Sequence, residues 1–101
     1  MKNHIELTSR AFLTIESLPQ HIAFDIIRLL EHLRDFPEMG SPLHSRFPKL
    51  KDFRQLLYKR SIRVIYEFDE YENTIYVLAV QDCRQKLPSV RDLKRDDARD
   101  E

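Results

Sequence analysis

The apolar residues in the first half of the chain follow a helical period. Between residues 20 and 36 they recur three or four positions apart, at Ile22, Ala23, Ile26, Ile27, Leu30 and Leu33. This spacing predicts an amphipathic helix with one buried stripe. A shorter helix is predicted to run from Thr8 or Ser9, either of which can cap it, to Leu18, and Pro19 separates the two helices. We therefore expect an antiparallel helical hairpin.

Other segments follow the period of two that is typical of strands. Strands are predicted at residues 3–7, 53–59, 62–68 and 74–80, the last three joined by turns at 59–61 and 69–73. The last strand is almost entirely apolar, as expected of a central strand covered on both faces. Residues 37–48 hold three prolines and the only glycine, which indicates an irregular connection and a candidate binding loop.

These elements together predict the fold class. We expect a single α+β domain over residues 1–101 in the order β-α-α-β-β-β, with the N-terminal strand and the helical hairpin packed on one face of an antiparallel sheet. The opposite face of the sheet is then free, and a functional site is expected there. Residues 88–101 are mostly charged and are predicted to form either a C-terminal helix or a frayed end.

Composition narrows the class of protein. Hydrophobic residues make up 42% of the chain and charged residues 34%, a balance typical of soluble globular proteins. No segment is long and apolar enough to span a membrane, and the N-terminus lacks the apolar run of a secretory signal. Cys83 is the only cysteine and the four histidines are scattered. We therefore expect no disulfide, metal or cofactor, and a location in the reducing cytoplasm.

Charge is distributed unevenly, although the chain is neutral overall. Residues 46–63 carry seven lysines and arginines against Asp52 alone, a local net charge of +6. Because salt screens charges over about 8–10 Å, this local field matters more to an anionic ligand than the total charge does. The segment is therefore either a candidate anion-binding surface or an ordinary solvated face.

Three segments of the second half of the chain form a recognisable set. They are residues 50–56 (Leu-Lys-Asp-Phe-Arg-Gln-Leu), 62–68 (Ile-Arg-Val-Ile-Tyr-Glu-Phe) and 75–84 (Ile-Tyr-Val-Leu-Ala-Val-Gln-Asp-Cys-Arg). Together they resemble the toxins of type II toxin–antitoxin modules in the RelE/ParE superfamily. With the upstream helices and loop, the likeness covers roughly residues 3–87. It implies a RelE/ParE-like fold and a toxin that is neutralised by a cognate antitoxin.

The resemblance leaves the activity open between two main kinds. RelE-like members cleave mRNA in the ribosomal A site, whereas ParE-like members inhibit DNA gyrase and have no known nuclease centre. In both kinds the antitoxin wraps the toxin, so a toxin–antitoxin hetero-oligomer is expected. Our first hypothesis is a ribosome-dependent mRNA endonuclease. The alternatives are a gyrase inhibitor and a decayed toxin that only binds an antitoxin.

RNA cleavage through the 2′-hydroxyl needs a base, an acid and cations for the phosphate charge, a task that suits arginine. By resemblance, one candidate catalytic residue comes from each of the three segments, and the three are expected to surround one phosphate: Arg54, Arg63 and Arg84. The candidate RNA-binding residues are Lys51, Lys59, Arg60 and Lys86, and the candidate acid or base is His44. Cleaving members commonly have a tyrosine or histidine after the third strand, whereas here Arg84 is followed by Gln85-Lys86-Leu87-Pro88.

Overall fold

The computed structural model describes residues 2–43 and 52–95. Its elements are β1 (His4–Leu7), α1 (Ser9–Ser17), α2 (Gln20–Asp35), β2 (Ser41–Pro42), β3 (Arg54–Tyr58), β4 (Ile62–Asp69), β5 (Thr74–Asp82) and a 3-10 helix (Val90–Asp92). The predicted α+β class and order are confirmed, with the short β2 as an addition within the predicted irregular connection. The rest of that connection, residues 44–48, lies outside the described residues.

The five strands form one sheet in the order β1-β5-β4-β3-β2. Strands β2 to β5 pair with their neighbours in antiparallel fashion, whereas β1 runs parallel to β5. The three strands of the predicted meander are antiparallel as expected, whereas β1, which was expected to pack with the helices on a face of the sheet, is an edge strand within it and makes the sheet mixed. The chain leaves β1 through two helices rather than a hairpin turn, so no tight turn forces that strand to be antiparallel.

Helices α1 and α2 cover one face of the sheet. Thr8 caps α1, since its hydroxyl oxygen accepts a hydrogen bond from the Ala11 N–H at 3.1 Å. The predicted stripe of α2 is buried at Ile26, Leu30 and Leu33, where it packs with sheet residues such as those at 56, 64, 66, 75 and 77. No helix in the described part of the chain is long and apolar enough to cross a membrane.

The opposite face of the sheet carries a second, smaller core, so the prediction of a free face is only partly correct. Its buried members are Leu43, Phe53, Ile65, Leu78, Ala79 and Leu93, with Tyr76 and Leu87 packed against them. Leu93 comes from the predicted charged tail, and Leu87 directly precedes that tail, which lies against the sheet and forms the 3-10 helix there. Residues 96–101, the remainder of that tail, lie outside the described residues.

A β-bulge in β5 explains how this strand serves both cores. Ile65 of β4 is in register with Ala79, but the next residue, Tyr66, is in register with Val77, so Leu78 is the extra residue. Leu78 and Ala79 consequently both belong to the second core, although they are consecutive. Beyond the bulge, the residues of β5 face the side opposite to the one that simple alternation would give them.

Candidate nucleic-acid interface

One end of the sheet gathers five basic residues, four from two neighbouring turns and one from β4. Ile62, at the start of β4, is in register with Tyr58 of β3 and Asp82 of β5, so the β3–β4 turn and the segment after β5 lie at the same end. The Cys83 N–H donates to the Ser61 carbonyl oxygen at 2.9 Å and joins them directly. We call this region the basic end, and its cations are Lys59, Arg60, Arg63, Arg84 and Lys86.

The β3–β4 turn presents its two basic residues in an unusual backbone conformation. Lys59 and Arg60 have φ angles of 48° and 59° and are the central residues of a turn that the Ser61 N–H closes by donating to the Tyr58 carbonyl oxygen at 2.9 Å. A turn of this hand requires left-handed backbone at both central residues. Asn and Gly meet that requirement at lower conformational cost than long side chains do. Both side chains are exposed. The turn therefore holds two cations at positions where local backbone preference favours other residues.

Arg63 lies on the sheet face opposite the helices, as predicted from the alternation of β4. Its Nε donates to Gln55 Oε1 and its Nη1 to Gln81 Oε1, each at 2.9 Å. Longer contacts join Nη1 to the Gln85 carbonyl oxygen at 3.4 Å and Nη2 to that of Cys83 at 3.5 Å. Arg63 therefore also supports the turn that carries Arg84.

Within residues 2–43 and 52–95, Arg63 has four acceptors, and all of them are neutral amide or peptide oxygens. The arginine ion pairs of the described residues involve Arg34, Arg84 and Arg95, not Arg63. A half-buried guanidinium whose charge no carboxylate balances attracts an anion more strongly than a paired one, because the field of the charge is not cancelled at short range. Arg63 is thus a fixed positive charge that a phosphate can approach.

Arg84 is paired with Asp82 at the edge of the basic end. Its Nε and Nη2 donate to the two carboxylate oxygens of Asp82 at 3.1 and 3.0 Å, and its backbone N–H donates at 2.8 Å. The side-chain hydrogen bonds, followed by the backbone one, lower the pKa of Asp82 to about 2. The Arg84 side chain is 91% exposed, so this is a solvent-screened pair that a phosphate can compete for.

Arg54 does not join the other two arginines. It is in register with Tyr66, whose ring belongs to the helix-side core, so Arg54 extends from the helix-bearing face and from the other end of β3. Its Nη1 donates to the carbonyl oxygens of Gly40 and Glu38 at 2.7 and 3.2 Å. The expectation that Arg54, Arg63 and Arg84 surround one phosphate is therefore not met, because alternation along β3 turns Arg54 to the opposite face.

The other predicted residues divide into three groups. Lys59 and Arg60 belong to the basic end, as described above. Lys86 is exposed after β5, and its carbonyl oxygen accepts from Gln81 Nε2 at 3.3 Å. His44 and Lys51 lie outside the described residues.

Sequence reasoning missed the two glutamines and one leucine beside Arg63. Leu57 is in register with Arg63 on β3 and is 51% exposed. Gln81 reaches Arg63 because the bulge at Leu78 reverses the facing of the end of β5. The facing of Gln55 could have been predicted from the sequence, since it alternates with the buried Leu56 and must face away from the helices.

The sequence matches a known protein family, and the fold matches solved structures. The family described as ParE toxin of type II toxin-antitoxin system, parDE, matches residues 5–87. Among solved structures, the toxin–antitoxin complex RelBE2 from Mycobacterium tuberculosis superposes with a TM-score of 0.71 at 20% identity, over 81% of this chain and 99% of that chain. No curated protein matches the sequence.

Two structures from Escherichia coli are also similar. The isolated RelE toxin gives a TM-score of 0.68 at 14% identity, over 83% of this chain and 87% of that chain. The intact RelBE toxin–antitoxin complex gives 0.65 at 14% identity, over 82% and 99%. At such low identity these likenesses establish the shared fold, while the family match rests on the sequence itself.

Proposed function

This chain belongs to the ParE toxin family of type II toxin–antitoxin systems, and from that premise we propose that it acts as a ribosome-dependent mRNA endonuclease. It is a toxin of the RelE/ParE kind, with the fold of RelE toxins. The observation that carries the proposal is Arg63, a fixed guanidinium whose acceptors in the described part of the chain are all neutral. Four further cations at the same end of the sheet supply the field that draws in a polyanion.

The proposed reaction is attack of an RNA 2′-hydroxyl on the adjacent phosphate. A base takes the hydroxyl proton, the new O–P bond forms a 2′,3′-cyclic phosphate, and the 5′-oxygen leaves with a proton from an acid. Arg63 contacts the phosphate and stabilises its developing charge, and Arg84 joins it after exchanging Asp82 for a phosphate oxygen. Arg54 is left out of this set because it binds the Glu38 and Gly40 carbonyls on the other face.

The proton carriers are proposed from the sequence. His44 keeps the acid or base role and Lys51 an RNA-binding role, both to be tested by mutation. Lys86, at the basic end, is the second candidate acid, since its ammonium group carries protons that can be donated to the leaving 5′-oxygen. Lys59 and Arg60 are proposed to contact the RNA backbone, where they add salt-dependent affinity.

Gyrase inhibition is the second candidate, and two observations favour it. The matching family is the one described as ParE toxin, and residues 83–101 contain neither tyrosine nor histidine. A toxin that only binds gyrase needs no acid–base pair. On this reading the basic end docks on an acidic protein surface.

We propose that a cognate antitoxin neutralises this toxin and forms a hetero-oligomer with it, by analogy with the RelBE toxin–antitoxin complexes. The helical hairpin exposes large apolar side chains that an antitoxin segment can cover: Phe12, Leu13, Phe24 and Ile27. Acidic residues of the antitoxin would lie near the basic end, so binding should weaken as salt is raised.

We also propose a cytoplasmic location, because the proposed target, the ribosome, is found there.

The test is expression of the toxin alone in a bacterial host, followed by primer extension on transcripts and an assay of plasmid supercoiling. We expect codon-phased mRNA breaks with unchanged supercoiling. Loss of supercoiling without breaks would establish the gyrase alternative, and unimpeded growth with folded protein would indicate a decayed toxin.

Variants of Arg63 sharpen this test. Arg63→Ala should abolish the breaks, and Arg63→Lys should restore them only in part, because lysine keeps the charge but loses the two-sided grip of the guanidinium. Arg28→Ala, an exposed arginine of α2, removes the same charge from the helical layer and should leave the breaks unchanged. A folded Arg63→Ala protein with full toxicity would contradict the assignment.

A further inference from the structure

Two glutamines hold the guanidinium of Arg63 from opposite sides. Strand β4 lies between β3 and β5, and Gln55 of β3 and Gln81 of β5 both accept hydrogen bonds from Arg63 at 2.9 Å. We propose that Gln55 and Gln81 are positioning residues that aim Arg63 at an RNA phosphodiester and, being neutral, leave its charge available. This inference rests on the proposed function, since it presupposes that Arg63 meets RNA.

The orientation of Gln81 is itself fixed. Its Nε2 donates to the Lys86 carbonyl oxygen at 3.3 Å, so its Oε1 is left to accept from Arg63. Counting the two longer carbonyl contacts, Arg63 uses four of its five N–H groups within the described residues. The fifth, on Nη2, remains for a phosphate oxygen. A guanidinium fixed in this way loses little conformational freedom when it binds.

Arg95 provides a comparison with Arg63, because it has a structural role in the same fold. At the other end of β4 and β5, Arg95 donates to Glu67 at 2.9 Å and to Asp69 at 3.2 Å, and its guanidinium stacks on the ring of Tyr76 at 3.8 Å. Carboxylates there hold the arginine more strongly and cancel its charge. Glutamines at the basic end give similar geometry without that cancellation. An arginine that binds an anion needs neutral acceptors of this kind, whereas an arginine with only a structural role does not.

Glutamate substitutions separate charge from geometry. Gln81→Glu and Gln55→Glu keep an acceptor oxygen for Arg63 but place a negative charge beside it. We expect kcat/KM for mRNA cleavage on programmed ribosomes to fall by about tenfold or more in each variant, because the added carboxylate competes with the phosphate for the guanidinium. Thermal stability of Gln55→Glu should stay equal or rise, whereas Gln81→Glu also loses the Nε2 hydrogen bond to the Lys86 carbonyl oxygen. Gln20→Glu, at the exposed start of α2, changes the total charge equally and should cleave normally.

A methionine variant tests positioning by itself. Gln81→Met keeps the length of the side chain and leaves the charge of Arg63 in place, but it removes the acceptor that aims the guanidinium. We expect kcat to fall while KM changes little, since attraction of the RNA persists and alignment is lost. A residue with only a structural role would lower thermal stability and leave kcat of the folded protein unchanged.

The outcomes distinguish this inference from the proposed function. If wild-type toxin cleaves, Arg63→Ala does not, and both glutamate variants cleave normally, the inference is overturned and the proposed function stands. If wild-type toxin does not cleave mRNA, or Arg63→Ala cleaves normally, the proposed function fails and the inference fails with it. Should Gln81→Glu not fold, Gln55→Glu decides the question from the other side of Arg63.

Discussion

The hydroxyl of Tyr66 donates a hydrogen bond to the carbonyl oxygen of Pro37 over 2.7 Å. The hydroxyl oxygen of Tyr66 also accepts a hydrogen bond from the Gly40 N–H at 3.0 Å, so one fully buried side chain of β4 secures both ends of the segment that follows α2. A Cβ on residue 40 would come within 2.7 Å of this hydroxyl and 2.8 Å of the Gln55 carbonyl oxygen. Glycine is therefore needed there for close approach.

Replacing Tyr66 by Phe removes the hydroxyl and keeps the ring. The Pro37 carbonyl and the Gly40 N–H then lose a buried partner, which should lower the free energy of unfolding by about 1–3 kcal/mol. Urea denaturation measures the change. Tyr71→Phe is the matched control, because Tyr71 is fully exposed and its loss should be nearly neutral. Equal stability of the two variants would show that the hydroxyl contributes nothing.

Arg54 secures the same segment from β3, so we expect it to act in stability and not in cleavage. Arg54→Met keeps the apolar stem but loses the hydrogen bonds to Gly40 and Glu38. The free energy of unfolding should fall by about 1–3 kcal/mol, while mRNA cleavage per folded molecule stays close to wild type. The loss of cleavage in a stable Arg54→Met protein would restore the catalytic role that the sequence suggested.

The sequence predicts those features that depend on local periodicity. The stripe through Ile26 and Leu30 fixes the buried face of α2, and the alternation of Ile62 and Val64 fixes the facing of Arg63. Each inference needs only one element and its own repeat. For the same reason the order of helices and strands was predictable.

Features that depend on two elements at once were not predictable. The bulge at Leu78 becomes visible only when β5 is paired with β4, and it decides that Gln81 meets Arg63. The facing of Arg54, by contrast, could have been predicted, because it lies two residues from the buried Leu56 on the same strand. The parallel pairing of β1 depends on the path of the two helices. The apolar content of the tail was hidden by its many charges, so the burial of Leu93 escaped notice.

Leu93 tests whether the second core stabilises the fold. Its side chain is 3% exposed and packs in the second core, so Leu93→Ala should cost about 2–4 kcal/mol through lost burial and a cavity. For a domain of this size that corresponds to a drop in Tm of roughly 4–8 °C per kcal/mol. Val90→Ala, at a position 42% exposed on the same segment, should change Tm little. A similar Tm for both variants would mean that the tail adds no stability.

The basic residues of the β3–β4 turn should lower the stability of the fold while they contribute to RNA binding. Lys59→Asn together with Arg60→Gly supplies residues suited to φ angles of 48° and 59°, and should raise the free energy of unfolding by about 1–2 kcal/mol. Cleavage should fall, because two cations of the basic end are lost. Gln at both positions removes the charges without relieving the backbone, so it should lower cleavage without the gain in stability. Full cleavage in both double variants would exclude the turn from RNA binding.

Asp82 reports whether Arg84 is held in solution as it is in the structure. Its pKa is lowered to about 2 from an ordinary value of 3.8, so its contribution to stability is fully present above pH 3.8 and is lost as pH falls through about 2. A carbon-13 NMR titration of the carboxyl group should find that low midpoint. In Arg84→Gln the pKa should rise part of the way towards 3.8, because the backbone N–H of residue 84 still donates. Arg91→Gln, an exposed arginine of the 3-10 helix, should leave it unchanged.

If Arg84 binds RNA as proposed, the same ion pair should have a functional consequence, because at neutral pH Asp82 is fully charged and would compete with RNA for Arg84. Asp82→Asn removes the competing charge, and mRNA cleavage at low toxin concentration should increase. That gain should vanish when Arg84→Gln is added, since the released guanidinium is then absent. If Asp82→Asn raised cleavage equally with and without Arg84, the effect would come from the general field of the basic end, and Arg84 would have no direct contact with the phosphate.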